Sequence, residues 1–153
     1  MAYSAINMSK IEIRPLVKED IPFVAELEAR CFSMPFTEKA LNELFLNTSW
    51  HFFVATDNNT VIGYISFYCI IDETEIVNVC VMPEHRGKGL GRALTKCAID
   101  FNKEINGSRV MLEVRKSNAP AIKLYEGLGF IPVGVSKNHY KMPTEDAILM
   151  NLE

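Results

Sequence analysis

Apolar and polar residues alternate along this chain in two rhythms, and the changes from one to the other mark out its elements. Ile11 to Arg14 alternates like a short strand. Asp20 and Pro22 carry helix start signals, and the helix runs to about Arg30 before Ser33-Met34-Pro35-Phe36 breaks it. Thr37 is placed to cap a second helix, whose Leu41, Leu44 and Phe45 form an apolar stripe ending near Asn47. From Trp50 the period shortens to two. Trp50 to Ala55 and Val61 to Ile70 are rich in β-branched and aromatic residues, Asp57-Asn58-Asn59 suits a hairpin turn, and Glu75 to Val81 follows a turn at Asp72-Glu73. Three successive strands predict an antiparallel meander. Glu75 and Asn78 cannot share one face of a regular strand, so the third strand is either buried on both sides or bulged.

The clearest helix follows, with Leu90, Ala93, Leu94, Cys97, Ala98, Phe101 and Ile105 on one stripe and Gly107 as its stop. Val110, Leu112 and Val114 mark another strand, and Ser117-Asn118-Ala119-Pro120 opens a shorter helix that ends at Gly129. Phe130 to Val135 and Ala147 to Leu152 are expected to pair as a closing hairpin. The order β-α-α-β-β-β-α-β-α-β-β predicts an α/β fold on a mixed, mostly antiparallel sheet. No repeat or linker divides residues 1–153, so one domain is expected, with residues 1–10 as a loose N-terminal extension.

Composition narrows the function classes. Sixteen Lys plus Arg against nineteen Asp plus Glu give a net charge of -3, the wrong sign for a general nucleic-acid binder. The four cysteines form no CxxC pair and the three histidines do not join them, so no metal site is expected and the cysteines read as small core residues without a reactive thiolate. No apolar run approaches the roughly 20 residues of a membrane span, and residues 1–10 lack a signal-peptide stretch, so a reducing, cytoplasmic setting is expected.

One segment concentrates chemistry. Arg86-Gly87-Lys88-Gly89-Leu90-Gly91-Arg92 sits between a buried strand and a helix start, where glycines admit close backbone approach and a helix N-terminus favours a phosphate or pyrophosphate. The alternative is a glycine-rich turn that only starts a helix. A P-loop would need Gly where Met82 stands and Ser or Thr where Gly89 stands, and a Rossmann loop would need Gly or Ala at Leu94 or Arg92. The remaining pattern, R-x-x-G-x-G over Arg86 to Gly91, resembles the acyl-CoA pyrophosphate loop of the GNAT acetyltransferase superfamily.

The likeness extends from about residue 11 to residue 152, and the element order resembles the GNAT fold. Cys31-Phe32-Ser33-Met34-Pro35-Phe36, Asn78-Val79-Cys80-Val81, Leu112 to Asn118, Ala121 to Phe130 and Asn138-His139-Tyr140 are similar to the RimI family of ribosomal-protein N-terminal acetyltransferases. This resemblance implies that the backbone of Val79, Cys80 and Val81 faces pantetheine where the strand bulges and splays. It also implies that Gly87, Lys88, Gly89, Leu90, Gly91 and Arg92 hold the pyrophosphate of acetyl-CoA and that Asn118 contacts it. Read by itself, Asn118 is equally a helix cap. Phe32, Pro35, Phe36, Asn138 and Tyr140 are implied to form the peptide groove, although Phe36 and His139 stand where the family commonly has Trp and Tyr.

Acetyl transfer needs a neutral amine and a protonated leaving thiolate. Glu113, on the strand face opposite Val110, Leu112 and Val114, is the candidate base, or else pairs with Arg115 along that face. Tyr125, whose family counterpart is the acid, can protonate the coenzyme A thiolate, or else packs in the core with Ile122 and Leu128. His139 reads as a surface or partner-contact residue. The expected activity is direct transfer from acetyl-CoA to a protein N-terminal α-amine, with a ribosomal protein as implied acceptor and no nucleic acid or membrane partner. A small amine, an antibiotic, a lysine side chain or an acyl-CoA sensor without turnover are the alternatives.

Overall fold

The computed structural model describes residues 10–153, so all of the expected N-terminal extension except Lys10 lies outside the described residues. The elements are β1 (Ile11–Pro15), α1 (Ile21–Cys31), α2 (Glu38–Phe45), β2 (Trp50–Asp57), β3 (Thr60–Ile70), β4 (Glu73–Val81), α3 (Leu90–Glu104), β5 (Arg109–Arg115), α4 (Ala119–Gly127), β6 (Ile131–Tyr140) and β7 (Glu145–Leu152). They form one sheet of order β1-β2-β3-β4-β5-β7-β6, antiparallel at every junction except β4 with β5.

Local chemistry explains most boundaries. Pro22 lies in the first turn of α1, and the Thr37 hydroxyl accepts from Ala40 N at 3.1 Å to cap α2. Asn58 and Asn59 take left-handed φ values of 50° and 69°, as a tight hairpin turn with the twist of its strands requires. Asp20, read as a start signal, immediately precedes α1, but its side chain makes no cap hydrogen bond to the helix. Its carboxylate accepts from Val17 N and two Arg14 guanidinium nitrogens instead.

The irregularity expected in β4 is a bulge. Ser66 pairs with Asn78 and Phe67 with Ile76, leaving Val77 as the extra residue. Beyond this point the sheet opens, because β4 and β5 are paired only through Glu73–Glu75 and Arg109–Met111. Two cores flank the sheet. Ile21, Val24 and Leu27 of α1 and Leu41 of α2 bury with Val54 and Tyr64, while Leu90, Leu94 and Ala98 of α3 bury with Ile65, Phe67, Val110, Leu112 and Val114.

Three expectations need correction. Ile105 is exposed, and the α3 face is completed by the buried polar residues Thr95 and Asn102, whose side chains find internal hydrogen bonds. The left-handed residue after α3 is Asn106 rather than Gly107, and β6 runs on beyond Val135 to Tyr140.

Candidate active site

Two cavities meet where the sheet opens. The first, about 580 Å³, is bounded by Val79, Cys80 and Val81 of β4, the glycine loop and the start of α3, and Asn118 to Tyr125 at the start of α4. The second, about 520 Å³, is bounded by Phe32, Ser33 and Met34, the bulge at Val77 and Asn78, Glu113 and Arg115, and His139 to Lys141. Val79, Asn118, Ala121 and Tyr125 belong to both walls, so the cavities share a partition rather than standing apart.

The glycine loop divides its labour. Gly87 and Gly89 adopt φ of 80° and 82°, and a side chain at either would meet nothing within 4 Å, so both are there for backbone conformation beside open space. Gly91 serves close packing, since a Cβ there would stand 3.4 Å from Leu124 Cδ1 of α4. The N-terminal turn of α3 thus presents its unpaired N–H groups to the first cavity, an arrangement suited to phosphate oxygens. The three cations of the loop behave differently. Arg92 lines the cavity, Arg86 lines it but donates back to Val81 O at 3.1 Å, and Lys88 lies off its wall with Nζ 3.3 Å from His85 Nδ1.

Asn118 caps α4, accepting from Ala121 N at 3.2 Å, and its position on both cavity walls leaves the contact implied for it open as well. Tyr125 packs its ring edge against Phe130 at 5.8 Å, and burial pushes its phenol up to about 12, so it keeps its proton at neutral pH. Tyr125 thus packs against Phe130 while also lining both cavities.

Glu113 lies on the exposed face of β5, as alternation requires, and the strand-face pairing with Arg115 is absent. Arg115 instead bonds Glu145 Oε1 at 3.2 Å, Lys141 O and Pro143 O, and sits 4.5 Å over the Tyr140 ring. Glu145 also accepts from Ser117 N at 2.6 Å, so this group ties the end of the β6–β7 hairpin to the approach to α4. The partner of Glu113 is His139, with Nε2 2.5 Å from Oε2. Among the proposed groove residues, Phe32 and Tyr140 line the second cavity. Pro35, Phe36 and Asn138 do not. Phe36 packs edge-on to Trp50 in the core, and Asn138 is an exposed left-handed residue (φ 52°) whose N–H bonds Asp146.

Two features escaped the sequence reading. Glu28 in mid-α1 is fully buried and accepts from Tyr64 OH, Asn78 Nδ2 at 2.7 Å and Phe36 N at 2.8 Å, joining the Phe32–Phe36 turn to the bulge. Burial pushes its carboxyl up, and those hydrogen bonds pull it part of the way back. Its only signal was a carboxylate at a position flanked by the apolar α1 stripe. Cys31 also departs from the expected inert thiol. A hydrogen bond from Cys80, together with the Arg86 guanidinium 3.8 Å away, lowers it to about 6, while burial pushes Cys80 upward.

Residues 21–130 match the Acetyltransferase (GNAT) family. The chain is 37% identical over 143 residues to a putative ribosomal protein bS18-alanine N-acetyltransferase of Bacillus subtilis, covering 93% of this chain and 95% of that one. It is 36% identical over 148 residues to the Escherichia coli K12 ribosomal protein bS18-alanine N-acetyltransferase, covering 92% and 95% of the two chains. A crystal structure of the E. coli ribosomal-protein-S18-alanine N-acetyltransferase superposes with a TM-score of 0.86 at 33% identity, over 94% of this chain and 93% of that one. Taken with the strand order, the open β4–β5 junction and the glycine loop, these likenesses show that the chain belongs to the GNAT acetyltransferase family, as an acetyl-CoA-dependent N-acetyltransferase of the RimI type.

Proposed function

We propose that the chain acetylates the N-terminal alanine of its cell's own ribosomal protein S18, with the transfer made directly between substrates held in the two cavities. The observation that carries this reading is the shared partition: a cavity lined by glycines and a helix start abuts one lined by a carboxylate and aromatic side chains, with Tyr125 in both walls. Two substrates meeting there need no covalent acetyl-enzyme.

Acetyl-CoA fits the first cavity. Its pyrophosphate would lie against Gly87 to Arg92, chiefly on backbone N–H groups and Arg92, and its pantetheine along the unpaired edge of Val79 to Val81. The acceptor α-amine enters from the second cavity. An α-ammonium ordinarily titrates at about 8, so Glu113 takes its proton before attack on the thioester carbonyl. Tyr125 returns a proton to the departing thiolate, for which its elevated pKa leaves it supplied. Phe32, Tyr140 and the loop through Met34 flank the entering peptide. Among the described residues no helix is long and apolar enough to cross a membrane, and a ribosomal acceptor puts the enzyme in the cytoplasm.

Coenzyme A release with a hexapeptide matching the S18 N-terminus tests both halves. Turnover is expected with the Ala-initiated peptide and not with spermidine or free lysine, and Tyr125→Phe should lower kcat about a hundredfold while leaving acetyl-CoA affinity in place. Equal turnover of spermidine removes the acceptor assignment, and full activity of Tyr125→Phe returns that residue to packing alone.

A further inference from the structure

Asn78 follows the bulge residue of β4, stands immediately before the edge of Val79 to Val81, and lines the second cavity. Its side-chain nitrogen is already engaged. Nδ2 donates to Glu28 Oε2 at 2.7 Å, beside the Tyr64 hydroxyl on the same oxygen, while Phe36 N holds Oε1 at 2.8 Å. A carboxylate that gathers donors can only be met by the N–H₂ arm of an amide, so this contact fixes how the planar group lies: Nδ2 turns toward Glu28 and the carbonyl oxygen Oδ1 turns away from it. The backbone N–H of Asn78 is taken as well, by Ser66 Oγ at 3.2 Å.

Among the described residues no hydrogen bond reaches Asn78 Oδ1. Nor is it buried, since the buried side-chain polar atoms left without a partner are Asp57 Oδ1 and Arg109 Nε. It is an open acceptor held in one orientation from behind, and the space beside Asn78 is the second cavity. Its neighbours on that wall are otherwise committed or of the wrong polarity. Asn118 Oδ1 accepts from Ala121 N, His139 is in contact with Glu113, and the Arg115 and Lys141 side chains only donate.

We propose that Asn78 Oδ1 accepts a hydrogen bond from the first peptide N–H of the acceptor, so that the site selects the α-amine of a peptide over an amine on an alkyl chain. This rests on the acceptor reading above and names the part of the acceptor that is recognised. The α-amine and the first peptide N–H flank a single Cα–C unit. Glu113 on β5 meets the amine and Asn78 on β4 meets the amide, from opposite sides of the opening between those strands. Two fixed points on one residue orient the amine toward a thioester lying along Val79, which a single contact would leave free to swing. A lysine ε-amine or a polyamine nitrogen has only methylenes where the peptide N–H would stand. Binding either would leave Oδ1 without its donor in a closed site, which is the basis of the discrimination.

The test pairs a change in the protein with a change in the substrate. Coenzyme A release is measured for the wild type, Asn78→Ala and Asn78→Ser with the Ala-initiated hexapeptide and with its analogue carrying an ester in place of the first peptide bond, which removes that one N–H. The wild type should lose about tenfold in kcat/KM on the ester, and Asn78→Ala about tenfold on the amide. In Asn78→Ala and Asn78→Ser the ester should then fall no more than about twofold below the amide, because the contact is already gone. Any intrinsic difference between the two substrates cancels in this comparison, and a loosened fold would lower both alike. The acetyl-CoA KM should stay within about twofold in both variants. An ester penalty that is the same in the wild type and the variants overturns the proposal, and so does a wild type indifferent to the ester. Failure of both variants to fold also overturns it, by making the amide a structural group alone. Absence of turnover of the amide peptide by the wild type would instead remove the underlying acceptor reading, so the two failures are told apart.

Discussion

Glu28 shows how much one buried residue governs here. Three donors converge on its carboxylate, from β3, from the β4 bulge and from the turn that flanks the second cavity. Since burial leaves its folded-state pKa above the unfolded value of about 4.3, the group favours the native state most when protonated. The stability it contributes is therefore fully present below the unfolded pKa and falls as pH rises through the raised folded one. Glu28→Gln is neutral throughout, so its unfolding free energy relative to the wild type should improve between pH 4 and pH 7, on top of a constant penalty for presenting an amide N–H₂ to three donors. Urea unfolding at the two pH values checks the sign, and a difference between the proteins that is flat with pH rules the linkage out.

At the scale of elements, much of the architecture was legible because each boundary has a local cause. Thr37 and Asn118 cap helices, Asn58-Asn59 turns a hairpin, and the clash of Glu75 and Asn78 with a two-residue period allows either a strand buried on both sides or a bulge, of which β4 has the bulge. What was not legible is what strands bring together from afar. Glu113 and His139 are 26 positions apart and meet only because β7 returns between β5 and β6, and Glu28 meets Asn78 only across the α1–sheet interface. The end of α3 illustrates the same division. Gly107 was read as the stop residue, but the left-handed turn is made by Asn106, and Gly107 is required by crowding: an added Cβ would lie 2.0 Å from Asn102 Oδ1 and 2.9 Å from Asp72 O. Asn102 is buried; its Oδ1 accepts from Thr74 Oγ1 at 3.0 Å, tying α3 to β4, and its Nδ2 donates to Gly107 O at 3.3 Å. Gly107→Ala should therefore cost about 2–4 kcal/mol, through displacement of a buried hydrogen-bonded side chain rather than through backbone strain. Adding Asn102→Ala to it tests the mechanism by a double-mutant cycle: the two penalties should be strongly less than additive.

The whole molecule is two antiparallel half-sheets, β1-β2-β3-β4 and β5-β7-β6, joined by a three-residue parallel ladder and by helices packed across the seam. The first cavity lies along that seam, with walls from β4 on one side and α4 on the other. A ligand filling it touches both halves at once, and it can do so only in the native arrangement, so its binding energy adds to global stability. At a hundredfold excess over Kd the addition is about 2.7 kcal/mol, which for a chain of this size corresponds to a rise in Tm of roughly 5–10 °C. Acetyl-CoA should produce that rise in thermal unfolding, and Gly89→Val should abolish most of it, because φ of 82° is closed to a β-branched residue. The second half of the prediction concerns location. Hydrogen exchange in β6 and β7 should slow along with that in β3 and β4 when acetyl-CoA binds, although none of those first two strands lines its cavity. Protection confined to the glycine loop and the start of α3 would mean that the halves are already coupled without the ligand, and that the short ladder between β4 and β5 is no weak point.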